Sequence, residues 1–109
     1  MTAAESAHMG RVAALGCVVC KKLMLGNTPA SVHHVRAGTG WGRASDFEVI
    51  PLCPHHHQGD EGLHTLGTKA WARKYWSEAE LLEAVLAELN LRLVMDHKGR
   101  VSGTAEIPR

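Results

Sequence analysis

At 109 residues and 11.8 kDa the chain makes one domain with a modest core, near the size at which a bound metal often helps folding. A formal charge of +1 removes bulk electrostatics as an argument for or against nucleic acid, leaving that to local patches. Three cysteines, two of them in a C-x2-C pair, do not fit a fully paired disulfide framework and read as metal ligands in a reducing cytosol.

In chain order, AAESAHMGRVAAL over residues 3–15 predicts an Ala-rich helix, stopped by Gly16. CVVCKKLMLGNTP follows as a knuckle and a turn. ASVHHV predicts a short strand, leading into the loop RAGTGWGRASD, where Gly38, Gly40 and Gly42 mark sharp turning or close backbone approach. FEVIPLC predicts a second apolar strand, and Pro54 then suits the first turn of a brief helix carrying the HHH run. TKAWARKYW places Trp71 and Tyr75 on one helical face. Ser77 to Glu80 forms a capping box opening the helix ELLEAVLAELNLRL. Leu81, Leu82, Val85, Leu86 and Leu89 share its apolar face, with Glu78, Glu83, Glu88 and Arg92 elsewhere. The expected organisation is a single domain over residues 1–98, with core motif 17–64 and C-terminal helices 68–93, then a flexible tail 99–109. No signal-like N-terminus and no run of membrane-spanning length appear, so a cytoplasmic location is expected.

The stretch CPHHHQGDEGLH has no packing rationale, because imidazole is half-polar and costly to bury. Cys17-x2-Cys20 and Cys53-x2-His56 together make a Cys3His set with the spacing of two zinc knuckles. His55 is an alternative fourth ligand. The plainer reading, three unrelated core cysteines, does not explain the paired spacing. His33, His34, His55, His57 and His64 then remain. In a regular strand His33 and His34 point to opposite faces, yet a metal ligand and a neighbouring base need only share an edge. The GDEG turn could fold His64 back toward the strand.

The order C-x2-C, HH, glycine-rich loop, acidic residue, LC-x2-HH resembles the HNH, or ββα-metal, nuclease module. More narrowly, HHVRAGTGWGRASDFEVIPLCPHHHQGDEGLH is similar to small phage and prophage HNH proteins related to the recombination-enhancement nuclease Ref, over roughly residues 8–76. The resemblance implies a small α+β fold: a ββα-metal module with a zinc knuckle and flanking helices. It implies that His34 is the general base and His33 a ligand of a catalytic divalent ion, with His57 and His64 as further ligands. Asp46 would orient the base, with Glu48 a competitor because the commoner pattern puts an Asn nearer the LC pair. His64 lies seven residues beyond His57 rather than four, a second departure. The implied cofactors are structural Zn²⁺ and catalytic Mg²⁺ or Mn²⁺, for which Zn²⁺ or Ni²⁺ can substitute in crystals. The implied substrate is DNA in a bacterial host cell, with a recombinase filament as candidate partner and monomer or dimer left open.

The chemistry is coherent on its own terms. Phosphodiester hydrolysis needs an activated water and a sink for transition-state charge, and imidazole near neutral pH suits the first. Arg36 and Arg43 bracket the glycine loop as phosphate contacts, and Lys21, Lys22, Lys69, Arg73 and Lys74 extend the patch. Any one of them is by default solvated surface, and Trp41 by default packs its loop onto the body. His8 and His97 stand alone in sequence; Trp71, Tyr75 and Trp76 read as packing residues. The rival function is a non-catalytic zinc-binding module that holds DNA or a recombination protein. It leaves His33, His34, His57 and His64 without employment.

Overall fold

Thr2 starts the first helix for a local reason: Glu5 N–H donates to its hydroxyl at 3.1 Å, and the Thr2 N–H donates to the Glu5 carboxylate at 2.6 Å. From this capping box α1 runs Ala3–Ala14. The computed structural model describes residues 1–35 and 45–100, with side chains through Leu93. The loop carrying Arg36, Trp41 and Arg43, the His97 side chain and residues 101–109 lie outside the described residues. Gly16 ends α1 with φ +83°, and a Cβ there would collide with the Asn27 side chain. Cys17 then opens α2 (Val18–Lys22), a short helix where the sequence suggests only a knuckle. The Cys17 Sγ accepts from the Cys20 N–H at 3.5 Å, so the turn that aligns two sulfurs also caps the helix.

The α+β class expected of the sequence is what the chain adopts. β1 (Ser31–His34) and β2 (Val49–Leu52) pair antiparallel, with His33 opposite Ile50 and His34 opposite Val49. All of β2 is buried, because α1, α2 and α6 (Glu78–Arg100) pack on it. Between them come α3 (Pro54–His57), with Pro54 in its first turn, α4 (Leu63–Leu66) and α5 (Thr68–Lys74). Trp71 of α5 is fully buried beside Leu81 and Val85 of α6 in one core with Val12, Val49 and Leu52. No helix among the described residues is long and apolar enough to cross a membrane.

Ser77 closes the second capping box as expected: the Glu80 N–H donates to its hydroxyl at 3.1 Å, and Glu80 accepts from the Ser77 N–H at 3.0 Å. The apolar stripe of α6 is narrower than its periodicity suggests. Leu81 and Val85 are buried, but Leu86 is 43% exposed beside a groove between α1 and α6. Periodicity states which face is apolar, not how much of it the neighbours cover. Glu78 departs the other way: placed by the pattern off the apolar face, it is only 5% exposed.

Glu88 ties α6 to α2, accepting from Lys21 Nζ at 2.8 Å and from Arg92 at 3.0 Å. Burial pushes the Glu88 carboxyl up, but the hydrogen bonds from Lys21 and Arg92 outweigh it and hold it below its ordinary value. A depressed folded pKa means stability that is present above the unfolded value, about 4.3, and is lost as pH falls through the folded one. Glu88→Gln should therefore cost about 0.5–1 kcal/mol near neutral pH, the modest size of a solvent-screened pair. In thermal melts the gap to wild type should close below about pH 4 and shrink in 1 M salt.

Candidate active site and metal centre

Cys17 and Cys20 arrive from the end of α1 and from α2, and Cys53 and His56 from the end of β2 and from α3. All four are buried, and their ligand atoms lie within 4.8 Å of one another. Zinc bonded at about 2.3 Å to sulfur and about 2.0 Å to nitrogen sets tetrahedral edges near 3.8 Å for S–S and near 3.5 Å for S–N. Cys20 and Cys53 sulfurs are 3.8 Å apart, and His56 Nδ1 lies 3.8, 3.6 and 3.3 Å from the sulfurs of Cys17, Cys20 and Cys53. The donor set and the spacing both fit zinc. Burial lowers the His56 pKa, with His55 adding to it, which keeps the imidazole in its ligating form. Burial pushes the Cys17 thiol up to about 12 against backbone hydrogen bonds from Cys20 and Cys53; a cation that takes thiolate reverses that preference. His55, the alternative ligand, is exposed and pairs with Glu61 at 3.3 Å. Tyr75 stacks edge-on against His56, ring centroids 5.1 Å apart, and its hydroxyl also reaches Glu61.

The second cluster forms on the other side of the HHH run. His33, His57 and His64 bring one nitrogen each within 4.8 Å of one another. His57 Nε2 and His64 Nε2 are 3.0 Å apart, and the His33 ring stands edge-on to both, at 5.1 and 5.4 Å between centroids. His33 is buried, His57 half-buried and His64 exposed, so the cluster is closed at one end and open to solvent at the other. Burial, then the neighbouring His33 and His64, lowers the His57 pKa and keeps it neutral. Among the described residues the buried His33 Nε2 has no hydrogen-bond partner, a costly arrangement that a ligand would relieve. Three converging imidazoles, one with an orphaned nitrogen, fit a divalent transition ion.

The GDEG turn makes this possible. The Gly59 N–H donates to Pro54 O at 2.9 Å and the Gly62 N–H to Gly59 O at 2.8 Å, doubling the chain back. A Cβ at Gly62 would stand 2.7 Å from the His57 carbonyl carbon, and one at Gly59 2.8 Å from His55 O. Glycine at both positions lets α4 close on α3, which returns His64 to His57 across the longer spacing.

His34, next along β1, faces away from its neighbour and is bound by a carboxylate instead. Its Nε2–H donates to Asp46 Oδ1 at 2.7 Å, with the carboxylate nearly buried. Glu48, the competing carboxylate, is exposed, and its backbone oxygen accepts from the Val35 N–H. The Asp46 bond places the imidazole proton on Nε2 and leaves the lone pair on Nδ1. A family model described as recombination enhancement, RecA-dependent nuclease matches residues 1–90.

The chain belongs to that family. None of the curated proteins searched matches it. Membership carries a nuclease role in recombination. Of the residues singled out for such a role, the three-histidine cluster, the His34–Asp46 pair and the Cys3His set each come together. Arg36 and Arg43 lie outside the described residues. Within the basic patch expected of the nuclease, Lys21 is engaged by Glu88 and Lys74 by Glu61, and Lys22 lies 5.0 Å over the Trp76 ring. Lys69 and Arg73 are exposed. His8, isolated in sequence and read as no ligand, is buried against Phe47 with ring centroids 5.3 Å apart. One neighbour of the cluster was not singled out from the sequence: Glu78 Oε1 lies 3.5 Å from His33 Nε2. Its only signal was its place at the capped start of a helix, which reads as ordinary dipole compensation.

Proposed function

We propose that the chain is a metal-dependent HNH endonuclease that hydrolyses DNA phosphodiester bonds, in phage or prophage recombination or DNA processing, alongside a RecA filament. The observation that carries this reading is the convergence of His33, His57 and His64, with the carboxylate-bound His34 following His33 at the end of β1. A non-catalytic module with the Cys3His zinc alone leaves both arrangements without a role. His33, His57 and His64 would hold the ion, and a divalent ion there would supply charge stabilisation to the phosphoryl oxygens and the leaving oxygen. His34 Nδ1 takes a proton from the attacking water as the new O–P bond forms and the P–O3′ bond breaks. Asp46 stabilises the imidazolium that results and holds the ring's orientation. Arg36 and Arg43 contact flanking phosphates, which positions the backbone without reading sequence.

A supercoiled-plasmid assay across Mg²⁺, Mn²⁺, Ni²⁺ and Zn²⁺, with and without RecA filaments, tests the proposal. Nicked or linear product is expected with at least one ion, and none when His57→Ala replaces the wild type. A wild-type protein that binds DNA or filaments but cuts under no condition would establish the non-catalytic alternative.

A further inference from the structure

We propose that the groove between α1 and α6 docks an acidic amphipathic helix of a partner protein. The groove holds about 440 Å³ and shares no residue with the histidine cluster, the His34–Asp46 pair or the Cys3His set. The inference therefore stands whether or not the chain cuts DNA. Two helical faces make the walls. His8, Arg11 and Leu15 recur along α1 at steps of three and four, as Leu86, Leu89 and Leu93 do along α6. Two such stripes side by side form a trough that a third helix can fill with its own apolar stripe. The α6 wall is left open: Leu86 is 43% and Leu93 57% exposed, whereas Leu81 and Val85 earlier in the helix are buried. Leucines exposed together in a concave place, rather than singly, mark a surface that something covers.

Charge selects the occupant. Arg11 on the α1 wall makes no ion pair among the described residues. On the α6 wall, Arg92 shares the single carboxylate of Glu88 with Lys21, which leaves one positive charge uncompensated. No Asp or Glu lines the groove among the described residues. A basic helix would meet like charge on both walls, and an uncharged one would desolvate Arg11 without a partner. A helix with leucine-like side chains flanked by glutamates or aspartates meets both the apolar floor and the cations. His8 adds an unmet polar group to the same groove: it is 9% exposed, and its buried Nε2 has no hydrogen-bond partner among the described residues.

The test is fluorescence anisotropy on full-length, zinc-loaded protein with two labelled synthetic helices. One carries leucines at three-and-four spacing flanked by glutamates; its twin replaces every glutamate with lysine. The acidic probe should bind at least about tenfold tighter than the basic twin, with the gap shrinking in 1 M salt. Arg11→Glu should weaken the acidic probe about tenfold, and Leu86→Lys should do the same by removing an apolar anchor. Lys69→Glu, outside the groove, should leave the affinity as it is. Melting temperature and zinc content should stay at wild-type values in all three variants, since each changes an exposed side chain. No binding, equal affinity for the two probes, or an affinity that only Lys69→Glu moves would overturn the proposal. A wild-type dimer in sedimentation equilibrium that Leu86→Lys dissolves would give the groove to a second copy of the chain and overturn it as well. Should Leu86→Lys melt early, Arg11→Glu decides alone, and an unchanged affinity there counts against the assignment.

Discussion

His34→Ala is expected to lower DNA cleavage by roughly 10²–10⁴-fold while leaving the fold and both pockets intact, the range typical of losing a positioned general base. The side chain is 37% exposed at the end of a two-stranded ribbon, so its removal opens no core cavity. Its neighbour His33 points to the other face and keeps its own contacts. The loss should appear in the turnover rate with DNA binding unchanged, because a general base acts on the water and not on the duplex. Asp46→Asn should reproduce part of it, since an amide can donate to Nε2 and stabilise the tautomer that places the lone pair there. Single-turnover cleavage and filter binding, run side by side, separate the two effects. Undiminished cleavage by His34→Ala would sink the assignment of the base.

Cys20→Ser is expected to have the largest effect on stability. Zinc binding in small metallodomains is worth about 10–16 kcal/mol, against about 5–15 kcal/mol of net stability for a whole domain. An ion held by the Cys3His set would join the end of α1 and α2 to the end of β2 and α3, segments far apart in the chain that otherwise share a small core. Serine offers a poorer ligand, and the three remaining donors stay buried and unneutralised. The variant should lose cooperative thermal unfolding or melt far below wild type, and strong chelators should do the same to wild type. His57→Ala should keep the wild-type melting point after mild chelation, because its pocket sits at the solvent-facing edge. A Cys20→Ser protein melting at the wild-type temperature would show that the Cys3His set is packing alone.

Much of this was legible in residue order. The zinc set could be read because a knuckle is a local object, two ligands on one turn, and two such turns imply one ion. The strands, the α6 capping box and the paired histidines were legible for the same reason, since pattern and spacing act over a few residues. The short helix α2 was hidden by its cysteines, whose sulfur caps the turn as a Ser or Asp would.

What residue order left open was every relation between segments distant in the chain. His33 meets His57 and His64 only because β1 pairs with β2 in a register that sets it beside α3, and because two glycines let α4 fold back. Asp46 rather than Glu48 reaches His34 because the turn before β2 buries one carboxylate and exposes the other. Glu78 of α6, distant in the chain, comes within 3.5 Å of His33 only through tertiary packing. Local composition dictates which groups exist and what they can ligate, whereas burial and long-range packing decide which of them share a pocket, and no short-range pattern encodes that.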